Sequence, residues 1–228
     1  MAHIFIGVGQ CGCQILDAIF SDKIMFRLAD ALAVDSTPRS FMHLKNIPVN
    51  FRAGISRYGE IVRTGAEEFG RDVSDGFGAD PDRVENLVDN NLQGFSDSLI
   101  ETITPNKKNP PSIAFLIFAF GGGTGGGCSP YFAGAIKEQL NIPIVGVGVL
   151  PAKKEGTRRA LAAATCLNNL HQIVDGFILI DNERIAHYPT MENYYKEYNK
   201  YVAAGIVELA VGMQIRKIDP KKYGFLAK

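Results

Sequence analysis

Six glycines in seven positions, Gly121-Gly122-Gly123-Thr124-Gly125-Gly126-Gly127, constrain this 228-residue chain more than any other stretch. Just before them, residues 113–120 form an apolar run with the length and composition of a buried strand. Just after them, Ser129 and Pro130 read as a helix N-cap and first-turn residue, opening a helix to about Leu140. A glycine costs up to about 1 kcal/mol in an ordered element, so six in seven positions between two structured flanks need a use. Glycine lets a ligand approach the backbone without meeting a Cβ. Successive free N–H groups at a helix start make an anion site, which the helix dipole reinforces. A flexible linker is the bland alternative, and the ordered flanks argue against it.

A second glycine loop lies near the start. Residues 3–8 read as a buried strand, and Gly7-Val8-Gly9-Gln10-Cys11-Gly12-Cys13-Gln14 turns it into a helix ending near Phe20. Taken literally, Gly7-x-Gly9-x-x-Gly12 is a dinucleotide-binding fingerprint, and the following strand, residues 31–34, ends in Asp35 at a spacing suited to an acid on a ribose. A nicotinamide- or flavin-dependent oxidoreductase is therefore a rival reading, although no catalytic dyad accompanies it.

The rest of the chain alternates strand and helix. Residues 47–51 read as a short edge strand because of Pro48, and 58–71 have mixed helical character. Residues 75–81 form a loop ending in Asp80 as N-cap and Pro81 in the first turn. The helix that follows carries Val84, Leu87, Val88, Leu92, Phe95 and Leu99 at helical spacing, a core stripe. Strands are expected at 143–150 and 176–180, an Ala-rich helix between them, and a long helix over 191–214. This alternation predicts an α/β fold: a doubly wound, mostly parallel Rossmann-like sheet with helices on both faces. Ligands bind such sheets at the strands' carboxyl ends, where every loop just named falls.

Composition narrows the function classes. Lys plus Arg equals Asp plus Glu at 24 each, so no net field draws the chain to nucleic acid or anionic lipid. Four cysteines are too few for a disulfide framework, which fits a reducing cytoplasm. The immediate first strand leaves no room for a signal peptide, and no apolar run reaches the ~18 residues of a membrane span.

The run Gly121–Gly127 matches in full the G-G-G-T-G-x-G signature of the tubulin/FtsZ superfamily, which the chain resembles along essentially its whole length. No Walker motif is present. Gly9-Gln10-Cys11-Gly12 and Gln14-Ile15 resemble the first nucleotide loop of tubulin, with Cys13 where tubulin has Asn. Gly76-Phe77-Gly78-Ala79-Asp80-Pro81 resembles the third phosphate loop of FtsZ, and Glu155-Gly156-x-x-Arg159 its ribose and base contacts. Ile180-Asp181-Asn182-Glu183 is similar to tubulin, whose Asn reads guanine. The mixture resembles the archaeal, CetZ-type branch.

The resemblance implies a GTP- or GDP-binding cytoskeletal protein, with Mg²⁺ expected alongside the triphosphate. Its partners would be itself or related subunits. The implied contacts are Gly9, Gln10, Cys11, Gly12, Cys13, Gln14, Gly78, Ala79, Gly121 to Gly126, Glu155, Arg159, Asn182, Tyr195 and Asn199. Tyr195 and Asn199, four residues apart, share a helix face, suiting a ring on the purine and an amide at its edge. Residues 1–190 would form the nucleotide domain, with 191–228 the central helix and the remnant of an activating loop. In that loop Asp219 would act on a neighbouring subunit, while Lys217 and Lys222 replace the family's Asn and second acid. The implied GTPase activity is therefore weak or dependent on assembly or a partner, and a non-polymerising regulator of related filaments is the alternative.

Overall fold

The computed structural model describes residues 3–65, 76–78, 80–104, 110–185 and 191–214. Strand β1 (His3–Val8) lies in the middle of a seven-stranded sheet with β2 (Ala29–Asp35), β3 (Arg52–Ile55), β4 (Ile61–Arg63), β5 (Ala114–Ala119), β6 (Ile144–Leu150) and β7 (Gly176–Asp181). The order is β4-β3-β2-β1-β5-β6-β7, and every pairing is parallel except β3 with β4. The doubly wound reading holds. The order reverses between β1 and β5, so both glycine loops leave the sheet at the switch point, where such folds open a crevice.

The sheet is buried on both faces, which is why β1 and β5 are apolar without alternation. On one face β1 and β5 present Phe5 and Phe115, stacked with ring centroids 4.4 Å apart. These pack under α1 (Gly9–Ile19), α2 (Met25–Leu28) and the long helix C-terminal to β7. On the other face Leu116 and Phe118 meet α3 (Pro81–Asp89), α4 (Leu92–Ile103), α5 (Gly123–Leu140) and α6 (Thr157–Leu170). Burying each such ring stabilises the fold by about 1.5–3 kcal/mol. The long helix, α7 (Met191–Gln214), has the expected bounds and lays Ala203, Ile206 and Ala210 against the α1 side.

Several local expectations are corrected. Residues 49–51 form a 3-10 turn; the strands at that edge are β3 and β4, the second inside the stretch expected to be partly helical. The stripe from Val84 to Leu99 belongs to two helices that break at Asn90 and Asn91; Val84, Val88, Phe95 and Leu99 are buried but Leu92 is half exposed.

The largest correction concerns the glycine run itself. α5 starts at Gly123 with Gly122 as its N-cap, so Ser129 and Pro130 lie inside the helix, and the Ser129 hydroxyl donates to the Gly125 carbonyl at 2.5 Å. Packing overrides propensity here. A Cβ on Gly123 would stand 2.2 Å from the Gly78 carbonyl oxygen, and one on Gly126 would stand 2.3 Å from that of Phe120. The helix can be seated this deeply only without side chains.

Candidate functional site

Helices α1 and α5 point their N-termini into one cleft. Neither has a side-chain cap or an acid in its first turn. The first N–H groups of a helix have no intrahelical acceptor, so both ends offer donors to a ligand, backed by the helix dipoles. The two ends touch: Gly9 has φ +73°, and a Cβ there would lie 3.0 Å from the Gly125 nitrogen. Positive φ together with this contact makes Gly9 hard to replace. The loop 76–78 closes the third side, with Gly78 against Gly123. The resulting cavity, about 530 Å³ and open to solvent, is of a size that suits a small-molecule ligand.

Gly9, Gln10, Cys11, Gly78 and Gly121 to Gly125 all line it, as do Glu155, Arg159 and Asn182. Glu155 is held in place. One carboxylate oxygen accepts the Ala152 N–H at 2.9 Å, and the other accepts from the Arg159 guanidinium at 2.6 Å. Asn182 opens the turn after β7, and Glu183 beside it accepts the Lys153 N–H at 2.7 Å, tying the β7 loop to the β6 loop. The Cys11 thiol is pushed up to about 12, first by burial and then by Glu155, so it is neutral at physiological pH.

Other implied contacts lie elsewhere. Gly12 packs against the Ile117 carbonyl and Gly126 against that of Phe120; both serve backbone approach. The Cys13 thiol is in the core, 3.4 Å from the Gly7 carbonyl oxygen and 3.5 Å from that of Val34. Gln14 is half-buried on α1. Tyr195 is half-buried on α7; burial, then Glu155 and Cys11, raise its hydroxyl pKa, so it stands near the Glu155 end of the cleft. Asn199 is half-buried one turn further along. Ala79 and Asp219 lie outside the described residues.

At the end of β2, Asp35, read from the sequence only as an acid for a dinucleotide ribose, is joined by wall residues that the sequence reading missed. Asp35, Ser36, Thr37 and Ser40 all face the cavity. The Asp35 carboxylate accepts the Ser36 N–H at 2.7 Å, and the Ser36 and Thr124 hydroxyl oxygens are 2.7 Å apart. Burial raises the pKa of the Asp35 carboxyl, while hydrogen bonds from Ser40, Ser36 and Thr124 oppose the rise. This carboxylate is engaged by its own neighbours and stands on the β2 side, away from Glu155. The polar run Ser36-Thr37-Pro38-Arg39-Ser40 at a strand's carboxyl end was the available signal.

Fold and cleft together define a Rossmann-like α/β domain with a crevice that two helix N-termini make suited to an anion. Comparison with known proteins makes this more specific. Residues 96–189 match the family model of the tubulin/FtsZ family, GTPase domain. A tubulin-like protein CetZ of Pyrococcus furiosus is 35% identical over 195 residues, covering 81% of this chain and 45% of the relative. The solved CetZ from Methanosaeta thermophila superposes with a TM-score of 0.77 at 25% identity, over 98% of this chain and 58% of that one. CetZ2 from Haloferax volcanii, a GTPγS-bound protofilament, shares the fold with a TM-score of 0.73 at 21% identity, over 98% of this chain and 62% of that one. Family model, relatives and fold agree: the chain is similar to the tubulin/FtsZ family, GTPase domain, and to CetZ-type proteins within it. It spans about half the length of the curated relatives it matches. These similarities weigh against the oxidoreductase reading.

Proposed function

We propose that this chain binds a guanine nucleotide, GTP or GDP, in the cleft between α1 and α5, as a CetZ-type cytoskeletal subunit. The observation that carries the reading is the convergence of two uncapped helix N-termini on one crevice, with Glu155, Arg159 and Asn182 lining it from the β6 and β7 side. Main-chain N–H groups suit phosphates, and a carboxylate suits ribose hydroxyls. An amide that both donates and accepts suits the edge of guanine. Ala79 would extend the phosphate contacts; Tyr195 and Asn199 would add those of α7 to the base.

Mg²⁺ fits the site in one way. Among the described residues no group of three or more His, Cys, Asp or Glu could hold a metal, so the ion would be carried by phosphates and water, as Mg²⁺ commonly is.

Assembly is the second part of the proposal. A relative of the same fold is a GTPγS-bound protofilament. Residues 191–214 run about 36 Å at helical rise, from near the base end of the cleft toward the far side of the domain. Head-to-tail stacking would bring the segment beyond α7 to a neighbour's nucleotide, with Asp219 as its acid. Lys222, an ammonium in the place of the family's second acid, cannot polarise water as a base, so turnover by this chain alone is slow. The reading places the protein in the cytoplasm, with itself or related subunits as partners and without nucleic acid or membrane insertion; no described helix is long and apolar enough to cross a membrane.

Nucleotide extracted from the purified protein and identified by chromatography should be GTP or GDP; NAD or FAD would end the reading. GTP turnover should rise little with concentration of this chain alone. Sedimentation with GTP should pellet it; pelleting only with a full-length relative would identify a regulator of related filaments instead.

A further inference from the structure

We infer that Arg52 is a positioning residue for terminal-phosphate recognition, acting through the loop between β2 and β3 without touching the nucleotide. The inference rests on the guanine-nucleotide reading above. The strand order lays the cleft out in sequence. Glu155 and Asn182 follow β6 and β7, the glycine loops follow β1 and β5, and Asp35 ends β2 with Ser36 and Ser40 just beyond it. From β7 to β2 is four strand steps, roughly 19 Å, comparable to an extended nucleoside triphosphate. With the base at β7 and the inner phosphates at the glycines, the β2 end receives the terminal phosphate.

That end is made from a loop with little regular structure of its own, a 3-10 turn at Pro38–Phe41 and another at Val49–Phe51. Buried carbonyls in such a loop need donors from elsewhere. Arg52, the first residue of β3, provides them. Its guanidinium donates to the carbonyls of Phe41 at 3.0 Å, Leu44 at 3.1 Å, and Ile47 at 2.6 and 3.0 Å. Phe41 directly follows Ser40, whose hydroxyl reaches Asp35, and Asp35 pairs with Gly54 two residues along β3. From the opposite side Asp17 of α1 accepts the N–H groups of Asn46 and Ile47 at 2.7 and 3.0 Å. The loop is therefore clamped twice: a cation on its carbonyls, and an anion on its N–H groups from the helix whose first turn holds phosphate. Arg52 is outside the cavity wall, so its influence is confined to where the β2 hydroxyls stand. A lysine would keep the charge, but its three donors diverge from a single nitrogen, whereas the guanidinium spreads its N–H groups over the planar fork that matches these carbonyls.

The test is equilibrium titration of the full chain with GTP and with GDP, beside thermal unfolding. Arg52→Lys is expected to lower GTP affinity by about tenfold or more, the loss of hydrogen bonds to a charged group, while GDP affinity changes by less than about threefold. Asp17→Asn should shift the GTP-to-GDP ratio in the same direction. Lys137→Gln, which removes an ammonium from Asp175 on the β6–β7 side of the sheet, should leave the ratio alone. A ratio unchanged in Arg52→Lys, or equal losses for both nucleotides, overturns the inference and leaves the nucleotide reading standing. Wild-type protein that binds neither nucleotide overturns both. If Arg52→Ala does not fold, the lysine and Asp17 variants still decide the matter.

Discussion

Gly123 and Gly134 lie on the same helix and should respond oppositely to alanine. At Gly134 a Cβ would meet nothing within 4 Å, so Gly134→Ala should stabilise the protein by about 1 kcal/mol through helix propensity and reduced freedom of the unfolded chain. At Gly123 the new Cβ would sit 2.2 Å from the Gly78 carbonyl oxygen and 3.0 Å from the Asp80 nitrogen. Ordinary contact begins at 3.4 Å, so one of the two segments must retreat by 3.4 − 2.2 = 1.2 Å. Both obstacles are main chain, so no side chain can rotate away. Overpacking of this kind costs about 1–3 kcal/mol, against at most about 1 kcal/mol of propensity gained. The net is a destabilisation of up to about 2 kcal/mol. The two variants should differ by about 1–3 kcal/mol, at about 2–4 °C of Tm for each kcal/mol in a chain of this size. Because the 76–78 loop walls the cleft, Gly123→Ala should also weaken GTP by about tenfold or more, as phosphate contacts are lost. Urea and thermal unfolding with fluorescent-nucleotide titration measure both effects. Equal upward shifts in Tm with unchanged affinity would refute the claim that the glycines are there for clearance.

Other residues give shorter tests. Glu155→Gln keeps the Ala152 N–H bond but weakens the pairing with Arg159 and the charge offered to ribose; nucleotide affinity should fall about tenfold with little change in Tm. Asn182→Ala should erode the preference for GTP over ATP more than the affinity for either, seen in competition binding. The Asp175 carboxyl is held below its ordinary value by the Ile144 N–H and Lys137. A lowered carboxylate adds stability that is complete above its unfolded value and is lost as pH falls through the folded one. Asp175→Asn should therefore flatten the acid side of a stability-versus-pH curve below about pH 4 and leave its direction near neutrality unchanged.

Much of this architecture was legible because its signals are periodic or compositional. Buried strands at 113–120 and 143–150 and the helix 191–214 emerge close to where hydrophobic pattern places them. The start of α5 was misread because helix propensity at a glycine run points one way and tertiary clearance points the other; the contact with Gly78 lies 45 residues away in sequence. The 3-10 turn at 49–51 follows from Pro48 fixing the backbone ahead of a strand that begins at Arg52. Within the cleft, the glycines and Glu155, Arg159 and Asn182 could be named because each falls in a motif. Ser36, Thr37 and Ser40 offered only a polar run at a strand's end, and it is the β2–β1–β5 order that brings Ser36 against Thr124. Arg52 was invisible for a related reason: its partners are carbonyls, which any residue supplies.

The contact of Gly9 with Gly125 has a consequence for how such a protein can diverge. The middle of the cleft is defined by missing atoms, so almost every substitution there adds bulk and closes it; there is no conservative replacement to drift through. The flanks are different. At Glu155, Asn182 and Ser36 the contacts are made by side chains, and one exchange alters a contact without disturbing the backbone. Descendants of this chain could change which base they hold, or how they distinguish tri- from diphosphate, while the phosphate seat between the two helices stays as it is.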